Sequence, residues 1–246
     1  MIQEYLSFSD LQGLDSSPSS VREAFKERFN NVTPDGIALN HETYYDAVKP
    51  PITEQYGHFC YKDLGIVDYS RGEEEPAQQA IIGSNTAYNR GDTEAEISLQ
   101  VTGSWAETTG WNSSITTGLS FSQSFGLEGV FETGMEFSVD VTAGVSGEES
   151  ISKSSTATVT VKVPPHSRVK VEMVATMKKE KLHFSAPIAV KGSFGANFPD
   201  RVDGHYFWFL DARTVLNKIS GEINGVIEGT AAFDVHTDIG QAEPIG

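Results

Sequence analysis

The most constraining feature of this 246-residue chain is a strict two-residue alternation that continues across a turn. Odd positions carry Leu119, Phe121, Phe125 and Leu127, then Met135, Phe137, Val139 and Val141. Even positions carry Ser120, Ser122 and Ser124, then Glu136, Ser138 and Asp140. Side chains of a β-strand point alternately to opposite faces, so this spacing specifies strands and not a helix. A turn about Phe131 pairs Leu127 with Met135, Phe125 with Phe137 and Phe121 with Val141, and keeps the parity. The expected product is one hairpin, near 115–147, with one apolar face and one small, polar or acidic face.

Two environments fit such a hairpin. In a soluble sandwich the apolar face packs on the core and the polar face meets water. In a transmembrane β-barrel the apolar face meets lipid and the polar face lines the lumen, and arms of about ten residues are long enough to cross when tilted. Three features favour the second environment. The polar face is built mainly from Ser, Thr and Gly, which fit a narrow barrel. It has no Lys or Arg. The tip Glu128-Gly129-Val130-Phe131-Glu132-Thr133-Gly134 sets Val130 and Phe131 between glycines, as a wedge that leads insertion. A single hairpin leaves its edges unpaired in lipid, so several copies must each contribute one, which makes a homo-oligomer part of this reading.

The surroundings carry the same signature. No Lys or Arg lies between Arg90 and Lys153, while ten acidic residues do, and 23 of the residues from 98 to 160 are Ser or Thr. The net charge of −16 opposes electrostatic binding to nucleic acid or anionic lipid. Cys60 is the sole cysteine and has no intramolecular partner to bridge. The opening Met1-Ile-Gln-Glu-Tyr-Leu has neither a basic nor an apolar run, so the expectation is a chain without a signal peptide.

The chain divides by texture near residue 80. Residues 1–80 are irregular. A capping box at Ser20-x-x-Glu23 and the spacing of Val21, Ala24, Phe25 and Phe29 predict a helix near 20–30. Tyr44, Tyr45, Tyr56 and Tyr61 belong to an aromatic cluster suited to receptor binding, or to the core of this segment. Glu73-Glu74-Glu75-Pro76 reads as an exposed turn, and from Ala80 onward alternating strands dominate. The division predicts a small α+β head at 1–80 and a β-rich module at 81–246.

Catalytic chemistry finds no support. The six histidines are scattered without zinc-ligand spacing, and nucleotide-binding and hydrolase motifs are absent. Cys60 reads as a buried, unreactive thiol. No enzyme activity, cofactor or metal is expected.

The order and texture of residues 80–240 resemble the aerolysin-like β-pore-forming proteins, in particular the branch with clostridial epsilon toxin and the bacillary mosquitocidal toxins. The resemblance rests on the Ser/Thr-rich strands at 95–125, the hairpin, and Val161-Lys162-Val163-Pro164-Pro165-His166-Ser167-Arg168-Val169, similar to the strand, proline turn and strand that follow the family's insertion segment. Gly225-Val226-Ile227-Glu228-Gly229-Thr230 is similar to its C-terminal strand. The resemblance implies an elongated, mainly β molecule of sandwich modules, secreted or released in soluble form. Its head binds a cell-surface receptor (glycan, lipid or protein), and the chain then oligomerises on the target membrane and inserts a shared barrel, with cytolytic and insecticidal action. It also implies activation by proteolysis near a terminus, for which the polar tail 236–246 is the candidate. The competing reading is a soluble carbohydrate-binding or structural β-sandwich protein without pore activity.

Overall fold

The computed structural model describes residues 2–115 and 118–245. In chain order its elements are β1 (Gln3–Tyr5), a 3-10 turn (Phe8–Leu14), α1 (Pro18–Arg28), β2 (Gly36–Leu39), β3 (Glu42–Tyr45), α2 (Ile52–Tyr56), β4 (Cys60–Leu64), β5 (Asp68–Arg71) and β6 (Gln78–Asn89). They continue with β7 (Ala95–Ile115), β8 (Phe125–Val130), β9 (Glu136–Val141), β10 (Gly147–Val163), β11 (Ser167–Val202), β12 (His205–Asp211), α3 (Ala212–Val215), β13 (Ser220–Ile239) and β14 (Glu243–Pro244). The protein is mainly β, as its sequence texture implies.

One 12-stranded sheet, in the order β1-β4-β11-β13-β7-β10 with further strands pairing β11, β2 and β3, forms the body. Every pairing is antiparallel. β11 runs for 36 residues, a contour of on the order of 120 Å at the usual rise per residue, and this makes the molecule elongated. At one end β11 is flanked by β6 and β13, and Val101, Val161, Val163, Val169, Val171 and Met173 fill a small core. Ser/Thr pairs cross the exposed face there, as in Ser98–Thr160 at 2.6 Å and Thr102–Thr156 at 3.0 Å. At the other end β4 and β5 pair with the middle of β11, and β2 and β12 with its later part. The larger core there joins Leu11, Phe25 and Ile37 to Phe184, Ile188, Ile223 and Ile227.

Helix α1 begins earlier than the sequence expectation. Ser17 is its N-cap, its hydroxyl accepts from the Ser20 amide at 3.1 Å, and Pro18 occupies the first turn. Proline preset to a helical φ, with no amide to satisfy, makes this the better start. The tail is paired to the body: β14 lies against Ser167 and Arg168, whose guanidinium donates to Glu243 at 2.8 and 3.0 Å. The acidic turn at 73–76 is exposed and holds ion pairs to Lys178, Lys179 and Lys181.

Candidate functional site

The amphipathic hairpin is present, stowed on the body with its apolar face inward. Strands β8 and β9 form a separate two-stranded sheet. Leu119, Phe121, Phe125, Leu127, Phe137, Val139 and Val141 are all buried, and Met135 is half-buried against the same core. Ser120, Ser122, Ser124, Glu136, Ser138 and Asp140 are all exposed. Thr116 and Thr117, within the expected 115–147 span, lie outside the described residues.

The register differs from the expected one. Phe125 pairs with Val141, Leu127 with Val139 and Gly129 with Phe137, so the turn centres on Thr133 instead of Phe131. Gly134 closes that turn at φ +83° and donates its amide to the Phe131 carbonyl at 2.9 Å. A positive φ is where glycine is favoured. Gly129 has another role. A Cβ there would stand 2.6 Å from the Phe137 ring, so its smallness lets that ring lie across the strand. The shift moves each partner by an even number of residues and therefore preserves the two faces.

The expected wedge is split. Val130 is 60% exposed, whereas Phe131 is 4% exposed. Phe131 turns inward because Gly229 makes room: a Cβ at Gly229 would be 2.4 Å from the ring. Phe131 also meets Phe137 at 5.0 Å between centroids, and Phe125 meets Phe184 at 6.3 Å.

Eight large apolar side chains of residues 119–141 are thus almost fully buried. At about 1.5–3 kcal/mol each, their exposure to water would cost roughly 12–24 kcal/mol as an upper bound. Lipid hydrocarbon is as apolar as a protein core, so moving this face from core to lipid is nearly neutral.

What else holds the hairpin is a set of side-chain-to-backbone bonds. Upstream, Lys62 is 1% exposed and lies 3.0 Å from Asp10 and 3.1 Å from Glu4. Its ammonium also donates to the Ser120 carbonyl at 2.7 Å, and Glu4 accepts the Ser122 amide at 2.8 Å. Burial alone would raise the Asp10 carboxyl, but the Ser120 hydroxyl, the Ser7 amide and Lys62 outweigh it and hold the group below its ordinary value. Glu4 behaves likewise, with the Ser122 amide and Lys62 overcoming burial. At the tip, Glu180 accepts the amides of Glu132 and Thr133 at 2.7 and 3.0 Å and pairs with Lys178 at 3.2 Å, while Arg71 pairs with Glu132. Downstream, the Ser113 hydroxyl donates to the carbonyls of Thr142 and Val145 at 2.8 and 3.0 Å. Among the described residues no backbone-to-backbone hydrogen bond joins 118–145 to the rest of the chain.

Sequence reading missed Glu4, Asp10, Lys62, Glu180 and Gly229, each of which looks like an ordinary surface charge or turn glycine on its own. It also omitted Glu128, which pairs with Ser138 and is exposed on the same acidic face. Cys60 is fully buried, and that burial pushes its thiol up to about 12. His58 stacks on Phe209 at 4.1 Å.

The four tyrosines expected to bind a receptor fall into three ring groups. Tyr44 and Tyr45 meet each other at 5.0 Å on β3, with the Arg22 guanidinium 4.3 Å above Tyr45. Tyr56 meets Phe207 and Phe209 beside a cleft of about 280 Å³. Tyr61 stacks on Tyr5 at 5.0 Å, with His41 and Phe59 around them. Among the described residues no ring contact joins these groups.

A scan against protein-family models finds no match for the chain. Solved structures do match. Parasporin-2, a Bacillus thuringiensis toxin described as recognizing cancer cells, shares 43% identity over 99% of both chains with a TM-score of 0.85. A non-toxic crystal protein of Bacillus thuringiensis has the same fold at 14% identity, over 79% of this chain and 93% of that one, with a TM-score of 0.51. The Mpp75Aa1.1 β-pore-forming protein from Brevibacillus laterosporus matches at 12% identity over 94% and 87%, with a TM-score of 0.48. With near-complete coverage at 43% identity and a stowed amphipathic hairpin on an elongated antiparallel body, the chain belongs to the aerolysin-like family of pore-forming toxins.

Proposed function

We propose that this protein binds a cell-surface receptor through the 1–80 head, assembles into a homo-oligomer through the 81–246 module, and inserts residues near 115–147 into the target membrane as one hairpin of a shared β-barrel. The observation that carries this reading is the separate ladder of β8 and β9. Because, among the described residues, 118–145 share no backbone pairing with the body, this stretch leaves without unzipping the main sheet.

The arms have six paired residues each when stowed, fewer than the roughly 9–11 a tilted crossing strand needs. Continuing the observed register pairs Phe121 with Val145, which lengthens both arms enough, with Leu119 and Ser120 at their base and Gly147 left paired with Trp111 in the main sheet. That extension recruits 119–124, the stretch held by Lys62 and Glu4, so the upstream bonds must open first. In the barrel Leu119, Phe121, Phe125, Leu127, Met135, Phe137, Val139 and Val141 face lipid. Ser120, Ser122, Ser124, Glu136, Ser138 and Asp140 line the lumen, and Val130 and Phe131 lie just before the tip, whose turn centres on Thr133. The likeness to a toxin that recognizes cancer cells supports mammalian cells as the first targets to test, with insect cells in parallel.

The test is dye release from such cells after exposure to intact and briefly trypsin-treated protein, with unboiled SDS gels of the membranes. Release accompanied by a high-mass oligomer is the expected result. Saturable binding with neither release nor oligomer would replace this reading with that of a soluble carbohydrate-binding β-sandwich.

A further inference from the structure

A cleft of about 500 Å³ separates β9 from the ribbon of β7 and β10. Glu136, Phe137, Ser138 and Val139 all line it, residues of both parities, so β9 meets the cleft with its edge. The turn fixes which backbone groups that edge presents. Phe131 donates its amide to the Met135 carbonyl at 2.9 Å, and bonded and non-bonded pairs alternate from there along the antiparallel ladder. Gly129–Phe137 and Leu127–Val139 are thus bonded pairs, and the amides and carbonyls of Glu136, Ser138 and Asp140 point away from β8. The opposite edge obeys the same phase, because the outward Glu128 amide of β8 donates to the Tyr69 hydroxyl. Among the described residues no protein group bonds the outward backbone of β9. One edge of the hairpin is covered and the other is open.

An open strand edge beside a groove accepts an extended peptide as an added strand. The groove decides its side chains. Residues opposite each other in an antiparallel pair share a face, so peptide residues facing Glu136 and Asp140 lie on the acidic side of the hairpin. Lys153, 2.6 Å from Glu107, offsets one of the cleft's three carboxylates and leaves Glu136 and Glu149. Basic residues complement them. Peptide residues facing Phe137 and Val139 lie on the apolar side, and Ile151, 65% exposed across the cleft, adds to the surface they cover.

The resulting pattern is basic, apolar, polar, apolar, basic. We propose that the open edge of β9 binds an extended basic peptide of this pattern as a third strand, and that the peptide, seated between β9 and β10, holds the hairpin in its stowed position. A ligand that touches both walls binds only the stowed arrangement and therefore stabilises it. The consequence for cell lysis rests on the pore-forming reading above.

The probe is fluorescein-labelled Gly-Lys-Val-Thr-Val-Lys-Gly, titrated by anisotropy against the full chain, and saturable binding is expected. Its Thr faces Ser138 and donates to the Ser138 carbonyl. Methylating that Thr nitrogen is expected to weaken binding about tenfold, whereas methylating the nitrogen of either Val, directed away from β9, leaves it unchanged. All these peptides carry the same charge, so the contrast separates strand pairing from adsorption to an acidic surface. Glu136→Gln with Asp140→Asn, both exposed, is expected to weaken binding about three- to tenfold. With peptide at saturation, amide exchange is expected to slow about tenfold at Ser138, which reports the edge, and at Val139, which reports the grip on the hairpin.

Absence of saturable binding, or equal binding of all the methylated peptides, overturns the site, and dimers in sedimentation would then give the edge to a second copy. Unchanged exchange at Val139 with peptide bound overturns the holding. Cells lysed by the free protein are expected to be spared by the saturated one, and undiminished lysis also overturns the holding. A protein that binds the peptide but lyses no cell without it sinks the pore reading and leaves the site standing.

Discussion

Lys62 and Asp10 lie 3.0 Å apart, each 1% exposed, directly against the Ser120 end of the hairpin's upstream arm. Removing one member of a buried pair strands the other's charge, at a cost of about 3–5 kcal/mol. Lys62→Ala is therefore expected to lower the stability of the soluble protein by that amount, read from urea unfolding. Lys62→Met combined with Asp10→Asn, which removes both charges and closely keeps the volume, is expected to recover at least half of the loss.

The same cluster sets a pH dependence. Asp10 and Glu4 titrate below their ordinary values in the folded protein. Groups with depressed folded values add stability that is fully present above their unfolded value, about 4, and lost as pH falls through the folded one. Lys62 faces both carboxylates, at 3.0 Å from Asp10 and 3.1 Å from Glu4. The upstream bonds are thus expected to hold at pH 5–6 and to fail only below about pH 4. Amide exchange of Ser122 and Gln123 against pH checks this, and acceleration already at pH 6 would contradict it.

Gly229 and Phe131 form the second anchor. Gly229→Val is expected to displace the Phe131 ring and destabilise the protein by about 1–3 kcal/mol. In the double variant with Phe131→Ala the two effects should fall short of additive, because the smaller residue vacates the contested space. A thermal-unfolding cycle of the four proteins reads the coupling directly.

Parity gives a sharper test of the inserted state. Single cysteines at Phe137, Val139 and Val141, each carrying an environment-sensitive dye, should report lipid after assembly on liposomes. The same dye at Glu136, Ser138 and Asp140 should report water. Native Cys60 does not interfere, being buried with its thiol pushed up to about 12. A signal without alternation would exclude a strand crossing here.

Charge selectivity tests the lumen. Glu136 and Asp140 repeat in every protomer of a barrel and should favour cations. Glu136→Lys with Asp140→Lys is expected to abolish or reverse that preference in planar-bilayer reversal potentials, and unchanged selectivity would place both side chains outside the lumen.

How much of this was legible in the sequence follows from the range of each interaction. Alternation is local, so the two faces of 119–141 and the inward odd positions were readable residue by residue. The register was not, because Gly129 and Gly134 flank Phe131 and suggest a symmetric tip. Only the body shows that Gly134 makes the turn while Gly129 accommodates the Phe137 ring. The burial of Phe131 depends on Gly229, 98 positions away, and no pattern within the hairpin encodes it. Glu4, Asp10 and Lys62 are scattered among other charged residues in the sequence, and their burial arises only when β1, the 3-10 turn and β4 converge on Ser120. The tyrosines do not form a single ring cluster for a related reason: Tyr44 and Tyr45 share β3 and stay in contact, whereas Tyr56 on α2 and Tyr61 on β4 sit on separate elements.

The separate ladder of β8 and β9 has a further consequence for timing. Departure of the hairpin would leave the main sheet whole but uncover the core face at Phe184, which Phe125 covers, and at Gly229, which Phe131 covers, while the hairpin itself would carry a naked greasy strip. Two such surfaces in bulk water attract other chains indiscriminately. Under the proposed function, a molecule whose hairpin left away from a membrane would be spent as aggregate, and productive insertion would be confined to copies that unlatch when lipid and neighbours are already in place.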